Sequence, residues 1–124
     1  NLINRTKFKV CDFSKFYGEK FDLIVSNPPY IPSKDIKKLD KEIIKFEPLT
    51  ALDGGHDGLD LIKKVIYKSN YLIKKNGLLA LEIGYKQYKT VSNILKYYGF
   101  KEKSKEYDYK NNVRCIISTK IDFI

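Results

Sequence analysis

Apolar residues alternate with polar ones in some stretches of the chain and recur every three or four positions in others, which predicts both strands and helices. Phe8 and Val10 alternate with lysines, and this spacing predicts a short strand that ends at Cys11–Asp12. The run Phe21–Ser26 is mostly apolar, as expected for a strand covered on both faces. This strand must end at residues 27–30, because two successive prolines cannot continue a ladder.

The middle of the chain carries two segments with helical spacing and a loop between them. Asp35–Ile44 predicts a short amphipathic helix. Residues 47–58 hold a proline and three glycines, so they predict a loop, from which Asp57 caps a second helix. Asn76-Gly77 is a typical helix end. The second helix presents one largely apolar face, formed by Leu59, Ile62, Val65, Ile66, Ser69 and Ile73.

The last third of the chain returns to strands. Leu78–Ile83 predicts a buried strand that Gly84 closes, and a further helix runs up to Gly99. Phe100 opens an edge strand, and Val113–Ser118 predicts the final strand. Its alternation points Cys115 and Ile117 toward the interior.

Strands and helices in this order indicate an α/β fold with a doubly wound sheet. In such sheets, ligands bind outside the carboxyl ends of the parallel strands. Three predicted strand ends are visible, at residues 11–13, 26–28 and 82–84. We therefore expect a site at this edge of the sheet, close to the unusual segment that follows Ser26.

Composition narrows the class of protein. The 124 residues suit one domain, and no apolar run has the length of a membrane span. Cys11 and Cys115 fit strand patterns as small buried side chains, so we expect no disulfide framework and a cytoplasmic location. The sequence contains no methionine, which suggests a piece of a longer protein.

The charge is unevenly distributed. The chain has 24 basic and 15 acidic side chains, a net charge of +9, and the whole excess lies in residues 63–124. A basic half could bind nucleic acid or an acidic protein. Interleaving of the lysines with apolar residues instead favours the solvated faces of packed elements, so we expect nucleic acid to be an unlikely partner.

Residues 27–30, Asn-Pro-Pro-Tyr, are the segment best suited to chemistry. The amide of Asn27 has donors and an acceptor for a substrate –NH2 or amide group. Pro28 keeps a carbonyl on a backbone of fixed φ, and Pro29 holds Pro28 extended. Tyr30 supplies a flat wall for a planar group. Together they would orient a planar nitrogen toward an electrophile, which is catalysis by positioning.

The run Phe21–Ile31 resembles the signature of S-adenosylmethionine-dependent methyltransferases that act on planar nitrogens. Downstream motifs narrow the resemblance to the HemK/PrmC family, which methylates the glutamine of the Gly-Gly-Gln motif in peptide chain release factors. Those motifs are Phe46–Leu52, Gly54-Gly55, Asp57–Leu59, Leu81–Gly84 and Asn112–Arg114. The resemblance implies a Rossmann-like class I methyltransferase fold. Residues 1–124 would be the C-terminal part of its catalytic domain, a mostly parallel sheet with an antiparallel last strand.

The resemblance also implies roles for individual residues. Asn27 and the Pro28 carbonyl would hold the glutamine amide beside Pro29 and Tyr30. Asn27 would also lie near the methyl donor, S-adenosylmethionine, with Asp12 beside it and Phe13 against its adenine. The amide nitrogen would displace methyl from the sulfonium, with no His or Cys base at the site.

Several features of the family are absent from this sequence: the glycine-rich loop, the acidic residue that binds the donor ribose, and the N-terminal helical domain. We therefore expect residues 1–124 alone to be inactive and to bind the donor weakly or not at all. A truncated sheet would also expose an edge and an apolar surface, so self-association is expected.

Two other functions stay open at this point: an adenine-specific DNA or RNA N-methyltransferase, and an inactive interaction module. The glycine-rich segment 53–58 carries carboxylates and one His, but its spacing fits no metal motif, and we expect a structural loop. Glu82 either serves function or caps nearby backbone, and Arg114 contacts a substrate protein or nothing.

Overall fold

A computed structural model describes residues 2–121. Short 3-10 turns occur at Ile3–Arg5, Phe13–Lys15 and Leu49–Ala51. The helices are α1 (Ser33–Ile36), α2 (Lys41–Phe46), α3 (Asp60–Leu72) and α4 (Tyr88–Tyr97). The strands are β1 (Phe21–Ser26), β2 (Ile73–Glu82), β3 (Phe100–Tyr107) and β4 (Val113–Lys120). No helix in residues 2–121 has the length and apolar character that crossing a membrane requires.

The four strands form one sheet in the order β1-β2-β4-β3. β1 and β2 are parallel, while β4 is antiparallel to both of its neighbours. Three strands therefore share one direction and the last strand opposes them, as predicted. Because β1 and β2 are parallel and adjacent, the loops that follow Ser26 and Glu82 lie at the same edge of the sheet.

The core lies between the sheet and two helices. α3 and α4 contribute Ile62, Ile66 and Val91, all with no exposed surface, to one cluster with Leu81 and Ile116 of the sheet. Burial of each such side chain is worth about 1.5–3 kcal/mol relative to exposure. Of the predicted apolar face, Ile62, Val65, Ile66 and Ser69 are buried on α3, whereas Leu59 precedes the helix and Ile73 begins β2.

The opposite face of β1 is largely exposed within residues 2–121. Leu23 and Val25 of β1 are 51% and 72% exposed, whereas Ile24 between them packs against the core. The expectation that β1 is covered on both faces is wrong for this part of the chain, because α3 and α4 share one side. The exposed surface and the free edge of β1 match the bare surface that we expected of the sheet.

The strand predicted at Phe8 and Val10 does not form. Both side chains are almost fully exposed, and residues 6–12 run without regular structure. Alternation alone cannot make a strand, since a ladder needs a partner, and none of the four described strands pairs with this segment. Cys11 is accordingly exposed rather than buried.

Three predicted boundaries shift for identifiable reasons. α3 ends at Leu72, not at Asn76-Gly77, because Ile73 already pairs with Phe21. Phe21 pairs with Ile73 and Leu23 with Leu78, so residues 74–77 form a bulge in β2, with Asn76 at φ 60°. α3 begins at Asp60 rather than directly after Asp57, whose carboxylate accepts the Leu59 N–H.

Two further expectations are corrected. The helix predicted over 35–44 divides into α1 and α2, with a turn between them. In β4 the fully buried side chains are Ile116 and Ser118, whereas Cys115 and Ile117 are only half-buried. The reason is register: Ile116 and Ser118 pair with Leu81 and Leu79, which face the helices.

Candidate functional site

The Asn-Pro-Pro-Tyr segment forms the loop directly after β1. Asn27 is exposed, Pro28 is buried, and Pro29 and Tyr30 are half-buried. A buried proline fixes the backbone at the point where the strand ends, while the amide beside it stays accessible. The loop therefore presents the accessible amide of Asn27, which can donate and accept hydrogen bonds, beside a fixed backbone.

These four residues line one cavity of about 220 Å³. The cavity also borders the loop that follows α2, which closes its far side. A space of this size suits a side chain or another small planar group more than a whole ligand. Its remaining lining residues are Ile31, Glu47, Ala51 and Leu52.

The side chain of Tyr30 is fixed by two charged residues from the sheet. Its hydroxyl donates to Glu82 Oε1 over 3.0 Å and accepts from Arg114 Nη2 over 3.0 Å, and the guanidinium lies 5.5 Å from the ring centroid. Partial burial, and then the hydrogen bond to Glu82, raise the pKa of Tyr30. The ring is therefore held in place by its hydroxyl, which stays protonated at neutral pH. Glu82 and Arg114, whose contacts the sequence left open, therefore both bind the Tyr30 hydroxyl.

The backbone of the same loop is held by Gln87, at the start of α4. Gln87 Nε2 donates to the carbonyl of Tyr30 over 3.0 Å and to that of Gly58 over 3.1 Å, while its Oε1 accepts the Gly84 N–H over 2.8 Å. One side chain thus joins the loops after β1, before α3 and after β2. Such a connection fixes the position of the candidate site relative to the sheet.

The glycine-rich segment 53–58 packs against this loop. Ile31 and Asp53 form an isolated bridge, and the Gly54 N–H donates to the Ile31 carbonyl over 2.8 Å. A Cβ on Gly54 would lie 2.8 Å from Tyr30 Cα, so only glycine fits. The Ser33 hydroxyl and the Gly55 N–H, both bonded to the Asp53 carboxylate, lower its pKa. Residues 2–121 contain no cluster of three or more His, Cys, Asp and Glu residues that could hold a metal ion.

Phe13 and Asp12 lie in a different cavity or beside it. Phe13 lines a space of about 300 Å³ along the first part of β1, together with Phe16, Phe21, Leu23, Ile24 and Val25. Asp12 caps the following turn, since its carboxylate accepts from the Ser14 N–H and hydroxyl, and these bonds lower its pKa. The structure therefore does not bring Asp12 or Phe13 into the cavity of Asn27, although both cavities lie along β1.

Two residues at this site escaped the sequence interpretation. Glu47 lines the cavity, whereas the sequence indicated it only as a member of the resemblance motif Phe46–Leu52, without a role of its own. Gln87 sits in a short polar segment between Gly84 and α4. No local pattern signals its role, because its three backbone partners converge only in the folded chain.

The basic side chains of the second half lie mostly on the surface. Lys63, Lys64, Lys74, Lys75 and Lys101 are all exposed, as solvated faces of packed elements should be. Lys68 is the exception: it is buried, and its ammonium lies 3.6 Å from the centroid of the Tyr17 ring. The distribution favours the interpretation that these lysines are mainly a solvated surface.

A family model described as Eco57I restriction-modification methylase matches residues 2–103. A release factor glutamine methyltransferase from Clostridium acetobutylicum is 41% identical over 103 residues, which are 83% of this chain and 36% of that protein. A ribosomal protein uL3 glutamine methyltransferase from Francisella tularensis is 45% identical over 76 residues, 61% of this chain and 24% of that protein. The chain thus spans about a third or less of these relatives. Their names confirm the predicted resemblance to glutamine methyltransferases.

The fold matches solved methyltransferases as well. A methyltransferase from Pyrococcus furiosus superposes with a TM-score of 0.55 at 16% identity, and the match covers 84% of this chain and 43% of that one. At this identity the likeness concerns the fold alone. It confirms the predicted Rossmann-like class I methyltransferase fold, of which residues 2–121 form four strands.

Proposed function

This chain belongs to the family described as Eco57I restriction-modification methylase, and we propose that it forms part of an enzyme that methylates the side-chain amide nitrogen of a glutamine in a peptide chain release factor. The observation that carries the proposal is the cavity at the end of β1. There an accessible Asn27 shares the cavity lining with a buried proline and a fixed aromatic ring. The two relatives described above are named for glutamine methylation, which supports an amide as the substrate.

Each residue of the loop has a role toward that amide. The Asn27 side-chain oxygen and the Pro28 carbonyl accept hydrogen bonds from the substrate –NH2 group, which orients the nitrogen. Pro29 keeps the backbone of Pro28 in an extended conformation, and the Tyr30 ring stacks against the planar amide. Because an amide nitrogen is a weak nucleophile, alignment of this kind is the main contribution that the chain makes.

The methyl donor would be S-adenosylmethionine, which supplies an electrophilic methyl group on a sulfonium. Residues of this chain fit one part of it: Phe13 offers an aromatic face in a cavity walled by aliphatic side chains of β1, which suits an adenine ring. Asn27 lies just beyond the end of β1 and lines the amide site, and β1 residues line the Phe13 cavity. Asp12 caps the turn that carries Phe13. We propose that Asp12 also contacts the methyl donor.

The substrate protein implies further assignments. The partner would be a release factor. The enzyme would be cytoplasmic, where thiols such as those of Cys11 and Cys115 stay reduced. A second copy of this chain is another partner that the bare face of β1 would accommodate.

A second function deserves a direct test, because the matching family model is described by restriction and modification. Under this alternative the planar nitrogen is the amino group of adenine in DNA, and the basic surface provides a nonspecific contact to phosphates. The surface distribution of the lysines does not concentrate them at the cavity, since its lining includes no basic residue.

The test uses the full-length gene product with methyl-labelled S-adenosylmethionine and three acceptors in parallel: a release factor, ribosomal protein uL3 and duplex DNA. We expect label in the glutamine of the release factor. Asn27→Ala should reduce the rate by about 100-fold or more, because the amide loses its orienting contact. Asn93→Ala, on the exposed side of α4, is the matched control and should retain the wild-type rate.

Each acceptor gives a distinct result. Label in uL3 alone would keep the chemistry and replace the substrate. Label in adenine would move the protein to the second function. An unlabelled set of acceptors, or an Asn27→Ala variant as active as wild type, would contradict the proposal.

A further inference from the structure

We propose that Glu47 is a further catalytic residue, whose carboxylate accepts the proton that the substrate amide loses on methylation. The inference rests on the proposed function. It starts from the lining of the Asn27 cavity, in which Glu47 is the acidic residue.

The cavity offers few groups that could take a proton. Among its lining residues only Tyr30 and Glu47 have titratable side chains. The Tyr30 hydroxyl is already hydrogen-bonded to Glu82 and Arg114, and its pKa is raised, so it stays protonated and cannot act as the acceptor. Asn27 has no basic atom. Glu47 is therefore the group left for this task.

The carboxylate of Glu47 is available. Within residues 2–121 it makes no hydrogen bond or ion pair, and the residue is exposed, so it is neither neutralised nor occupied by a structural partner. Its backbone is fixed, since the Glu47 N–H donates to the Ile43 carbonyl over 2.9 Å at the end of α2. Glu47 thus combines a carboxylate without a structural partner, an anchored backbone and a place in the cavity lining, which suits it to general base catalysis.

The reaction balances with this assignment. The amide nitrogen forms a bond to the methyl carbon while the carbon–sulfur bond breaks, and that electron pair stays on sulfur as a neutral thioether. The nitrogen then carries one proton too many. Glu47 accepts this proton and releases it to solvent, so the product is an N-methyl amide and the carboxylate is restored.

The experiment compares Glu47→Ala with Glu42→Ala in the full-length gene product. Glu42 is an exposed glutamate on α2 that does not line the cavity, so it controls for loss of a nearby charge. With a release factor as acceptor, we expect Glu47→Ala to lower kcat by about 100-fold with KM nearly unchanged, and Glu42→Ala to behave as wild type. Urea unfolding and calorimetric binding of the release factor should be the same for all three proteins.

Rescue by a small carboxylate separates catalysis from structure. Acetate added to Glu47→Ala should raise kcat in proportion to its concentration, and it should not affect wild type or Asn27→Ala. An undiminished Glu47→Ala variant would overturn the inference, as would a loss that acetate cannot restore or that appears only in KM. An inactive wild type would overturn the proposed function and this inference together, so the two failures are distinguishable.

Discussion

The hydroxyl of Tyr30 donates a hydrogen bond to Oε1 of Glu82 over 3.0 Å, although one residue lies in the loop after β1 and the other ends β2. Arg114 of β4 completes the contact from the next strand of the sheet. Three neighbouring strands thus place one aromatic ring. A ring fixed in this way can stack against a planar group without having to be ordered when that group binds.

Tyr30→Phe tests the fixed ring, because it removes the hydroxyl and keeps the aromatic face. Glu82 and Arg114 then lose a shared partner in a half-buried place, which should cost about 1–3 kcal/mol of unfolding free energy. Urea denaturation of the full-length gene product measures this loss. Tyr109→Phe is the control, since Tyr109 is fully exposed and should change nothing.

A double-mutant cycle with Glu82→Gln then isolates the pair. We expect a coupling energy of about 1 kcal/mol between the two substitutions. Strict additivity would show that the hydroxyl and the carboxylate do not depend on each other in solution.

Gln87→Glu tests whether one side chain holds the site together. The substitution keeps the oxygen that accepts the Gly84 N–H, but it sets a second oxygen against the carbonyls of Tyr30 and Gly58. The loop after β1 should shift, and because small displacements of an aligned reactant are costly, methylation should slow by about 10- to 100-fold. Steady-state kinetics checks this prediction.

Asn93→Asp introduces the same negative charge on the exposed side of the same helix and should have no such effect. If the two variants lose activity equally, a general charge effect is responsible and the positioning role of Gln87 is wrong.

Local sequence features predicted the part of the fold that depends on neighbours along the chain. Two prolines after an apolar strand placed the candidate site at the end of β1, and helical spacing identified the buried face of α3. Features that depend on distant partners could not be predicted in this way. Phe8 and Val10 alternate like a strand but have no strand beside them. Asn76-Gly77 resembles a helix end, yet pairing of Ile73 with Phe21 turns it into a bulge.

The residues of the site likewise divide into those that local sequence predicts and those that depend on distant contacts. Residues 27–30 are recognisable because each carries its chemistry in its own backbone or side chain. Gln87 is not, since its role consists of three bonds to backbone groups that are far apart in sequence. Long-range convergence of this kind leaves no periodic signal.

The carboxylate of Asp53 makes the stability of the fold depend on pH. Hydrogen bonds from the Ser33 hydroxyl (2.7 Å) and the Gly55 N–H (2.9 Å) stabilise its charged form and lower its pKa in the folded protein. A lowered pKa stabilises the fold above the ordinary carboxyl value of 3.8, and this contribution is lost as the pH falls through the lower, folded value. Wild type should therefore lose more stability than Asp53→Asn when the pH falls below 3.8.

Urea unfolding at a series of pH values measures this difference. Asp40→Asn is the matched control, because the Asp40 carboxylate is exposed and makes no hydrogen bond or ion pair in the described part of the chain. Its pH dependence should follow that of wild type. A parallel course for Asp53→Asn and wild type would show that these two bonds contribute no charge-dependent stability.

The uncovered face of β1 predicts the association state of residues 1–124. Leu23 and Val25 are 51% and 72% exposed on a strand at the edge of the described sheet, so apolar side chains and unpaired backbone groups occur together. Such an edge is a template for pairing with another chain. Sedimentation velocity should show dimers or larger species whose share of the population grows with concentration.

Val25→Lys should shift the population toward monomer, since a charged side chain on this face opposes both packing and pairing. Tyr109→Lys adds the same charge at a fully exposed position and should not shift it. Monomers at all concentrations, or equal effects of the two lysines, would contradict an association through β1.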